Sequence, residues 1–279
     1  MAETAYQTQY RQEFIAGFEV KQSLLRASVA TEAVINGNTA TFLVADSNGA
    51  TAVTRGVNGL IPARADNLTQ TSATPVEWHD KVRKTGFNVF ASQGNQRRIM
   101  QETAMGVINR KVDADIIVQL DTATNDTGAA ATGSLALVAK AQTILGNAEV
   151  PIEDEEAIFG LITPASRAYL MQTTEFGSGD YVEVKPFAGP ARRYFRWMGV
   201  NWIVHPNLTG VGTNAEKCYL FHRDAIGHAV NKDGMSVSVG YDEEDDYSFC
   251  RASIFMGSKL LQNDGIVQIL HDGSAYVAS

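Results

Sequence analysis

Met235-Ser-Val-Ser-Val-Gly-Tyr241 is followed by the acidic run Asp242-Glu-Glu-Asp-Asp246 and then by Tyr247-Ser-Phe-Cys-Arg-Ala-Ser-Ile-Phe-Met256. Apolar residues alternate with polar ones on both sides of the acidic run, which predicts two strands joined by a charged turn. A second unit of strand, turn and strand is predicted over residues 257–270, with its turn at 262–265. The chain is therefore expected to end in a compact series of paired strands, and this ending contains no catalytic motif.

Upstream of these strands, the clearest helical pattern of the chain lies between residues 94 and 122. Apolar residues recur there at spacings of three and four. They are Ile99, Met100, Ala104, Val107, Ile108, Val112, Ile116 and Leu120. The pattern predicts one helix about 40 Å long, at 1.5 Å per residue. The small residues of segment 125–133 are expected to end it.

Residues 134–235 are predicted to form an α+β unit between the helix and the C-terminal strands. Within it we expect a helix capped by Ser134, a buried strand over residues 156–163 and a short helix that begins at Thr163-Pro164. Further strands are predicted at residues 196–205, 217–222 and 225–230.

Residues 33–90 have a different character, because they are rich in Thr, Asn, Gly and Val and contain few large apolar residues. Alternating runs at residues 39–44 and 50–54 flank Asp46-Ser-Asn-Gly49, which is a hairpin turn signal. A third run, over residues 76–90, is expected to return antiparallel to the first part. Such a segment buries little surface by itself, so it is expected to be a long flap of two or three strands that lies on another surface.

The N-terminal segment is predicted to be an amphipathic helix of about five turns, because Tyr10, Phe14, Phe18 and Gln22 recur every four residues. Its apolar stripe needs a surface to cover it. Two interpretations stay open: the stripe packs on its own domain, or it docks on a neighbouring subunit.

Composition excludes several classes of function. The 279 residues are 44% hydrophobic, enough for a sizeable core in one or two domains. The formal net charge of -8 disfavours long-range attraction to nucleic acid, so any contact with DNA has to come from local patches. No signal peptide or membrane-spanning run is found, so a soluble chain made in the cytoplasm is expected. Cys218 and Cys250 are expected to be reduced core residues.

Motifs for catalysis and metal binding are lacking in the sequence. The acidic run at residues 242–246 lacks the spacing of a calcium loop, so a solvated turn is favoured over a metal site. His222-Arg-Asp224 matches three letters of the kinase signature without its glycine-rich loop, and the match is interpreted as accidental. The histidines are interpreted as structural. No catalytic, cofactor or metal residue is assigned, although a soluble hydrolase with a dispersed carboxylate site stays as an alternative.

Basic residues cluster in two places, at Lys81, Arg83 and Lys84 in the flap and at residues 192–196, where aromatic residues intervene. A groove for single-stranded nucleic acid would need stacking rings along a longer basic surface. Contact between subunits, or plain solvation, is therefore the favoured interpretation of both clusters.

The order of arm, flap, long helix, α+β unit and returning strands resembles the major capsid proteins of tailed bacteriophages, which have the Hong Kong 97-type fold. The resemblance is carried by residues 10–26, 33–90, 96–121 and 240–267, and it covers nearly the whole chain. It implies an α+β fold in five parts. These are an N-terminal arm (1–32), an extended β loop (33–92), a peripheral domain with the spine helix (93–133), an axial domain (134–235) and return strands of the peripheral domain (236–279).

By this resemblance, the chain is expected to be a non-enzymatic shell protein that assembles as hexamers and pentamers into an icosahedral phage head around double-stranded DNA, which it contacts non-specifically. The candidate contact residues between subunits are Phe14, Phe18, Lys81, Arg83 and Lys84. An encapsulin-like shell that encloses protein cargo stays as an alternative.

The resemblance also implies a location and a set of partners. The place of the protein would be the virion, after assembly in the host cytoplasm, and no membrane would be involved. No long charged coiled segment precedes the arm, so we expect a separate scaffolding protein. A portal protein is a further expected partner, with decoration proteins as an optional addition.

Overall fold

The computed structural model describes residues 22–34, 37–47, 49–65, 67–91, 96–174 and 194–276. The strands of this part of the chain are β1 (Ala30–Val34), β2 (Ala40–Asp46), β3 (Asn67–Ala73), β4 (Val76–Thr85), β5 (Ile158–Ile162), β6 (Tyr194–Trp197), β7 (Val200–Val204), β8 (Glu216–His222), β9 (Ile226–Asn231), β10 (Ser236–Asp242), β11 (Tyr247–Leu260) and β12 (Ile266–His271). Its helices are α1 (Gly86–Ala91), α2 (Gln96–Asp121), α3 (Leu135–Asn147) and α4 (Pro164–Leu170). None of these helices is long and apolar enough to cross a membrane.

Two large sheets organise the molecule. In the first sheet, β11 pairs antiparallel with β4 along one side and with β9 and β10 along the other, and β9 pairs in parallel with β1. The second sheet has the strand order β12-β8-β5-β7-β6, in which only β5 and β7 are parallel. The hairpin of β2 and β3 forms a separate two-stranded sheet.

The long helix α2 packs on the first sheet, where the sequence predicted it to lie within two residues of its observed ends. Its apolar stripe at a spacing of four is nearly inaccessible to solvent, and it consists of Met100, Ala104, Ile108, Val112, Ile116 and Leu120. These side chains contact the inward face of β11, including Cys250 and Ile254. Burying one such side chain stabilises the fold by about 1.5–3 kcal/mol, so this contact forms the main core.

The second sheet is buried on both faces. Along β8, Tyr219 and Phe221 belong to the main core, whereas Cys218 and Leu220 pack with α3 on the other side. Strands covered on both faces have continuous apolar sequences, which is why this region was predicted as buried strands. The predicted cap Ser134 is confirmed, because its Oγ accepts the Leu137 N–H at 3.3 Å. The predicted start of the second helix at Thr163-Pro164 is also confirmed, and there Thr163 Oγ1 accepts the Ser166 N–H at 3.1 Å.

The flap is smaller than predicted. β2 pairs with β3, from Ala40 opposite Ala73 to Asp46 opposite Asn67, and not with residues 50–54, which form no strand. This register buries Ala40, Phe42 and Ala73 at the root of the hairpin. Residues 50–54 include no side chain larger than valine and would bury little in the same place, so the hairpin closes farther along the chain.

The prediction that residues 76–90 return along the flap was wrong. Their strand, β4, pairs with β11, from Val76 opposite Met256 to Thr85 opposite Tyr247, and residues 86–91 are helical. Trp78 and Val82 face the main core, and this burial determines the partner strand. The flap is therefore the β2–β3 hairpin with the segment that joins its strands.

The predicted strand at residues 196–205 is a hairpin of β6 and β7. Met198 and Gly199 both have left-handed backbone conformations, with φ of 53° and 71°. Two such residues make a type I′ turn, which fits the twist of a tight hairpin. Trp197 and Val200 face each other across this turn.

The pairing of the C-terminal strands agrees only in part with the prediction. The antiparallel pair of β10 and β11 across the acidic run is confirmed. β11 continues to Leu260, however, and β12 pairs with β8 of the second sheet instead of with residues 257–261. Gln268 of β12 explains this, because its Nε2 donates to the carbonyls of Leu120, Asp121 and Ala123 at 3.3, 3.0 and 2.8 Å. One side chain thus caps the C-terminal end of α2, where helix carbonyls lack intrahelical partners, and the Leu120 carbonyl also accepts the Ala123 N–H at 3.2 Å.

The arm helix lies largely outside the described residues, including Phe14 and Phe18. Where the description begins, residues 22–25 are not helical, and a short 3-10 turn follows at Arg26–Ser28. The predicted helix therefore does not extend to its expected end. Leu24 and Leu25 are buried in the main core, so this end of the arm packs on its own subunit.

Candidate assembly surfaces

The flap is anchored at its root and exposed at its tip. Phe42 lies over Gly227 of β9 so closely that a Cβ at Gly227 would come within 2.7 Å of the ring. At the far end, hydrogen bonds from Gly59 N to the Gly56 carbonyl (2.8 Å) and from Gly56 N to the Leu60 carbonyl (3.0 Å) close a turn. The tip and hairpin carry exposed apolar side chains, namely Leu43, Val53, Val57, Leu60, Ile61 and Leu68, each at least 59% exposed.

Lys81 and Arg83 lie together on the solvent face of β4, next to aromatic rings of β11. The Arg83 guanidinium carbon is 4.8 Å from the centre of the Tyr247 ring, and Lys81 Nζ is 5.1 Å from that of Phe249. Lys81 Nζ also donates to the Tyr247 hydroxyl at 3.3 Å. Arg251 is directly opposite Lys81 on β11. We call Lys81, Arg83 and Arg251 the cationic strip.

Lys84 does not belong to this strip. Side chains alternate between the two faces of a strand, so Lys84 lies on the face opposite to Arg83, where it is half-buried. The three basic residues that the sequence placed in one cluster are therefore divided between the two faces of β4.

A glycine positions one of the aromatic rings of this surface. A Cβ at Gly240 of β10 would come within 2.6 Å of the Phe249 ring on the neighbouring strand. The ring therefore occupies the space that a side chain at position 240 would take, and Lys81 Nζ lies 5.1 Å from its centre.

The acidic turn between β10 and β11 is held by its own residues. Asp246 has φ of 47°, its carboxylate accepts a hydrogen bond from the Tyr241 hydroxyl, and its carbonyl accepts one from Gly86 N at 3.3 Å. A hydrogen bond from Tyr247 lowers the pKa of Asp242. In the described ranges, no group of three His, Cys, Asp or Glu residues is arranged to hold a metal ion. The hydrogen bonds of Asp246 fix the conformation of the turn.

Asp113 of α2 is a buried carboxylate that fixes the end of the arm. It accepts hydrogen bonds from the Ser23 hydroxyl at 2.6 Å and from the backbone N–H groups of Leu24 and Leu25 at 3.1–3.2 Å. Asp113 belongs to no recognisable motif of the sequence. One feature of the sequence could have indicated its burial, namely its position between Val112 and Ile116 in the apolar pattern of the helix. A charged group that is buried needs hydrogen-bond or ionic partners.

A second buried carboxylate, Glu216 of β8, connects the residue after β5, the last residue of β12 and the loop before β8. It accepts hydrogen bonds from the Thr163 hydroxyl at 2.6 Å, from His271 Nδ1 at 3.0 Å and from Gly212 N at 2.8 Å. Glu216 and His271 are each about 1% exposed. The structural interpretation of His271 fits this geometry, although nothing in the sequence connects it with a glutamate 55 residues away.

The remaining candidates for chemistry are also structural. Cys218 and Cys250 are buried and free, and burial raises the pKa of Cys218 to about 11. A thiol with a raised pKa stays protonated and is a poor nucleophile. His222-Arg-Asp224 forms a short turn in which the Asp224 N–H donates to His222 Nδ1 at 3.2 Å. Its resemblance to the kinase signature has no structural counterpart.

The same architecture is found in solved shell structures. A chain of Mycobacterium phage Che8 is 15% identical, with a TM-score of 0.74 over 98% of this chain and 99% of that one. The capsid of cyanophage P-SCSP1u is 13% identical, with a TM-score of 0.71 over 96% and 93%. The capsid of the native GTA particle is 11% identical, with a TM-score of 0.72 over 97% and 96%. The chain thus has the Hong Kong 97-type fold that is usual in such shell subunits.

Residues 2–273 match the model of the phage capsid protein family. The chain therefore belongs to this family, and it is a structural major capsid protein of a virion shell and not an enzyme. No curated protein matches the chain significantly. Family and fold together leave the hydrolase alternative without support, and they do not favour an encapsulin-like compartment.

Proposed function

We propose that the protein assembles as hexamers and pentamers into an icosahedral head that encloses double-stranded DNA, and that the flap of each subunit lies on its neighbour. The observation that carries this proposal is the exposed apolar surface of the flap. Val57, at the apex of the flap, is fully exposed, and Leu60 and Ile61 beside it are 74% and 65% exposed.

A flap of this kind is stable only when another surface covers it. A two-stranded hairpin is marginally stable in water, and large exposed apolar patches mark interaction sites. Covering one Leu or Ile side chain completely contributes about 1.5–3 kcal/mol. Six apolar side chains of the flap would therefore contribute substantially to a contact between subunits, although association entropy offsets part of the gain.

The two cores support a division of the subunit into two domains. We propose that the first sheet with α2 is the peripheral domain and the second sheet with α3 and α4 the axial domain, with the flap and arm as projections. Compared with the expected limits, β4 would then belong to the peripheral domain and β12 to the axial domain, since these strands pair with β11 and β8.

The proposed partners are a separate scaffolding protein, a portal protein and, as an optional addition, decoration proteins, with assembly in the host cytoplasm. Contact with the packaged DNA would be non-specific, because a chain with a net charge of -8 offers only local basic patches to phosphates. The candidate contact residues Phe14, Phe18, Lys81, Arg83 and Lys84 remain proposals.

Expression of the full chain with its scaffolding partner, followed by sedimentation and negative-stain electron microscopy, tests this function. The expected result is closed particles of megadalton mass, which contain DNA after packaging in infected cells. A species that stays at 30.2 kDa at every concentration would contradict the proposal. Particles that contain only protein cargo would support the encapsulin-like alternative instead.

A further inference from the structure

Two edge strands of the first sheet, β4 and β1, differ in the charge of the surface beside them. Among the described residues, β4 pairs with β11 alone and β1 pairs with β9 alone, so they lie at opposite edges. The cationic strip lies at the β4 edge. The surface at the β1 edge is formed with the flap root and the segment before β5, and it is acidic.

The cationic strip has an unfavourable arrangement in the separate subunit. Lys81 and Arg251 are directly opposite each other, and like charges in this position destabilise an antiparallel pair. In the part of the chain that the structure describes, neither they nor Arg83 lie within 4.0 Å of a carboxylate oxygen, and Lys81 interacts only over a longer distance with Asp242, whose pKa it helps to lower. Contacts with Tyr247 and Phe249 hold Lys81 and Arg83 in place. The strip is thus a fixed set of cations that an external anionic group would stabilise.

Two adjoining clefts at the β1 edge carry the complementary charge. Their volumes are about 590 and 500 Å³, and both are lined by His222 and Asp224. Exposed carboxylates from five parts of the chain line them, namely Glu32, Asp46, Glu149, Asp154, Glu156, Asp224 and Asp264. Among the described residues, Arg223 and His222 are the basic groups of their lining. We call the two clefts the acidic groove.

We propose that the cationic strip of one subunit docks in the acidic groove of the next copy of the chain. The proposal rests on the assembly function proposed above and assigns it a second contact besides the flap. Because the two surfaces lie at opposite edges of one sheet, the contact is head-to-tail, and a head-to-tail contact generates a ring when its rotation closes. The complementary charges also set the register and orientation of the two copies.

Packaged DNA is the other anionic partner that the strip could contact. A second copy fits better, because the same molecule carries a concave surface of opposite charge, while its total charge of -8 repels a polyanion. A charge reversal in the strip distinguishes a second copy of the chain from DNA as the bound partner. Reversal of the strip disturbs assembly if a second copy binds there, and it disturbs only DNA retention if DNA binds there.

The test is a charge swap in the full chain, expressed with its scaffolding partner and measured as particle yield by sedimentation and electron microscopy. Lys81→Glu with Arg83→Glu, and separately Asp224→Lys with Glu156→Lys, should each lower the yield at least about tenfold at low salt, since like charges then meet at the contact. The combination of all four substitutions should restore most of the yield. Lys259→Glu, an exposed cation of β11 outside the strip, is the control and should assemble normally.

Each other outcome overturns the proposal. If the strip variant assembles like the unmodified chain, its charges only protect the β4 edge from pairing. If it assembles normally but loses DNA after packaging, the strip faces the genome. If the combined variant stays defective while each variant subunit is folded by circular dichroism, the two surfaces do not meet. If the unmodified chain forms no particles, the assembly function itself fails, and this contact with it.

Discussion

His205 at the end of the second sheet donates a hydrogen bond from Nε2 to the carboxylate of Asp113 on the long helix, over 3.4 Å. The direction follows from its other ring nitrogen, because Nδ1 accepts the N–H of Asn207 at 3.2 Å and the proton is therefore on Nε2. Both side chains are buried. Asp113 thus joins three parts of the subunit: the arm, the helix and the second sheet.

Asp113→Asn should therefore loosen the arm without unfolding the subunit. The amide keeps the volume but loses the charge and one acceptor oxygen, so buried donors of the arm lose a partner. The expected loss is about 1–3 kcal/mol in the free energy of unfolding. Urea unfolding measures this loss, and faster hydrogen exchange at Leu24 and Leu25 would show where it arises. Asp233→Asn, at an exposed position, is the control, and an equal loss there would contradict the assigned role.

His228 should make the stability of the subunit depend on pH. Burial, followed by the nearby charge of Arg26, lowers the pKa of this residue from 6.5 to about 4. The unfolded chain then takes up a proton near pH 6.5, while the folded chain does so only near pH 4. The contribution of neutral His228 to the free energy of unfolding is therefore fully present above pH 6.5. It is lost as the pH falls toward 4, by up to about 3 kcal/mol.

Urea unfolding at pH 7, 5.5 and 4.5 checks this dependence. His228→Gln should reduce the loss of stability between pH 6.5 and 4, even if the variant is less stable at pH 7. His79→Gln, which removes an exposed histidine of β4, is the matched control. Identical pH profiles for the unmodified chain and the His228 variant would contradict the prediction.

Apolar residues of the flap tip should matter for assembly and not for the stability of the subunit. Val57→Asn and Leu60→Asn change side chains that are exposed in the subunit, so the free energy of unfolding should change by less than about 0.5 kcal/mol. Particle yield should nevertheless fall sharply, because the neighbour would have to cover a polar group. Val211→Asn, an exposed position away from the flap, should assemble normally. Unchanged yield for both tip variants would count against the docking of the flap.

Two glycine substitutions should have opposite effects on stability. Gly227→Ala places a methyl group 2.7 Å from the Phe42 ring, so the flap root must shift, at a cost of about 1–3 kcal/mol. Gly146→Ala lies in α3 and meets its nearest neighbour at 3.5 Å, so it should stabilise by about 0.4–1 kcal/mol. Chemical unfolding measures both effects, and proteolysis within the flap should become faster only in the Gly227 variant.

Local patterns in the sequence predicted the local structure well. The stripe from Met100 to Leu120 fixes α2, because six buried residues at a spacing of four leave no other conformation that covers them all. Ser134 and Thr163 likewise fix the starts of α3 and α4. Each segment indicates its own element, and the order of these elements along the chain carried the family resemblance.

Long-range pairings could not be obtained in the same way. The alternation in β4 shows which side chains are inward but not that the partner is β11, about 170 residues later. Buried pairs such as Asp113 with His205 and Glu216 with His271 have no sequence signature, because each residue alone has the pattern of an ordinary surface polar group. The flap was overestimated for a related reason, since turn residues at 46–49 indicate a bend but not the strand that returns.

The three hydrogen bonds from Gln268 to the last turn of the long helix have a mechanical consequence for a curved shell. They attach the C-terminal end of α2 to β12 of the second sheet. A change in the angle between the helix and this sheet would break these hydrogen bonds. In the proposed shell, subunits in five-fold and six-fold positions would differ in shape to follow the curvature. We expect the difference to be taken up at the opposite end of the helix and in the flap, and superposition of such subunits would show the Gln268 joint unchanged.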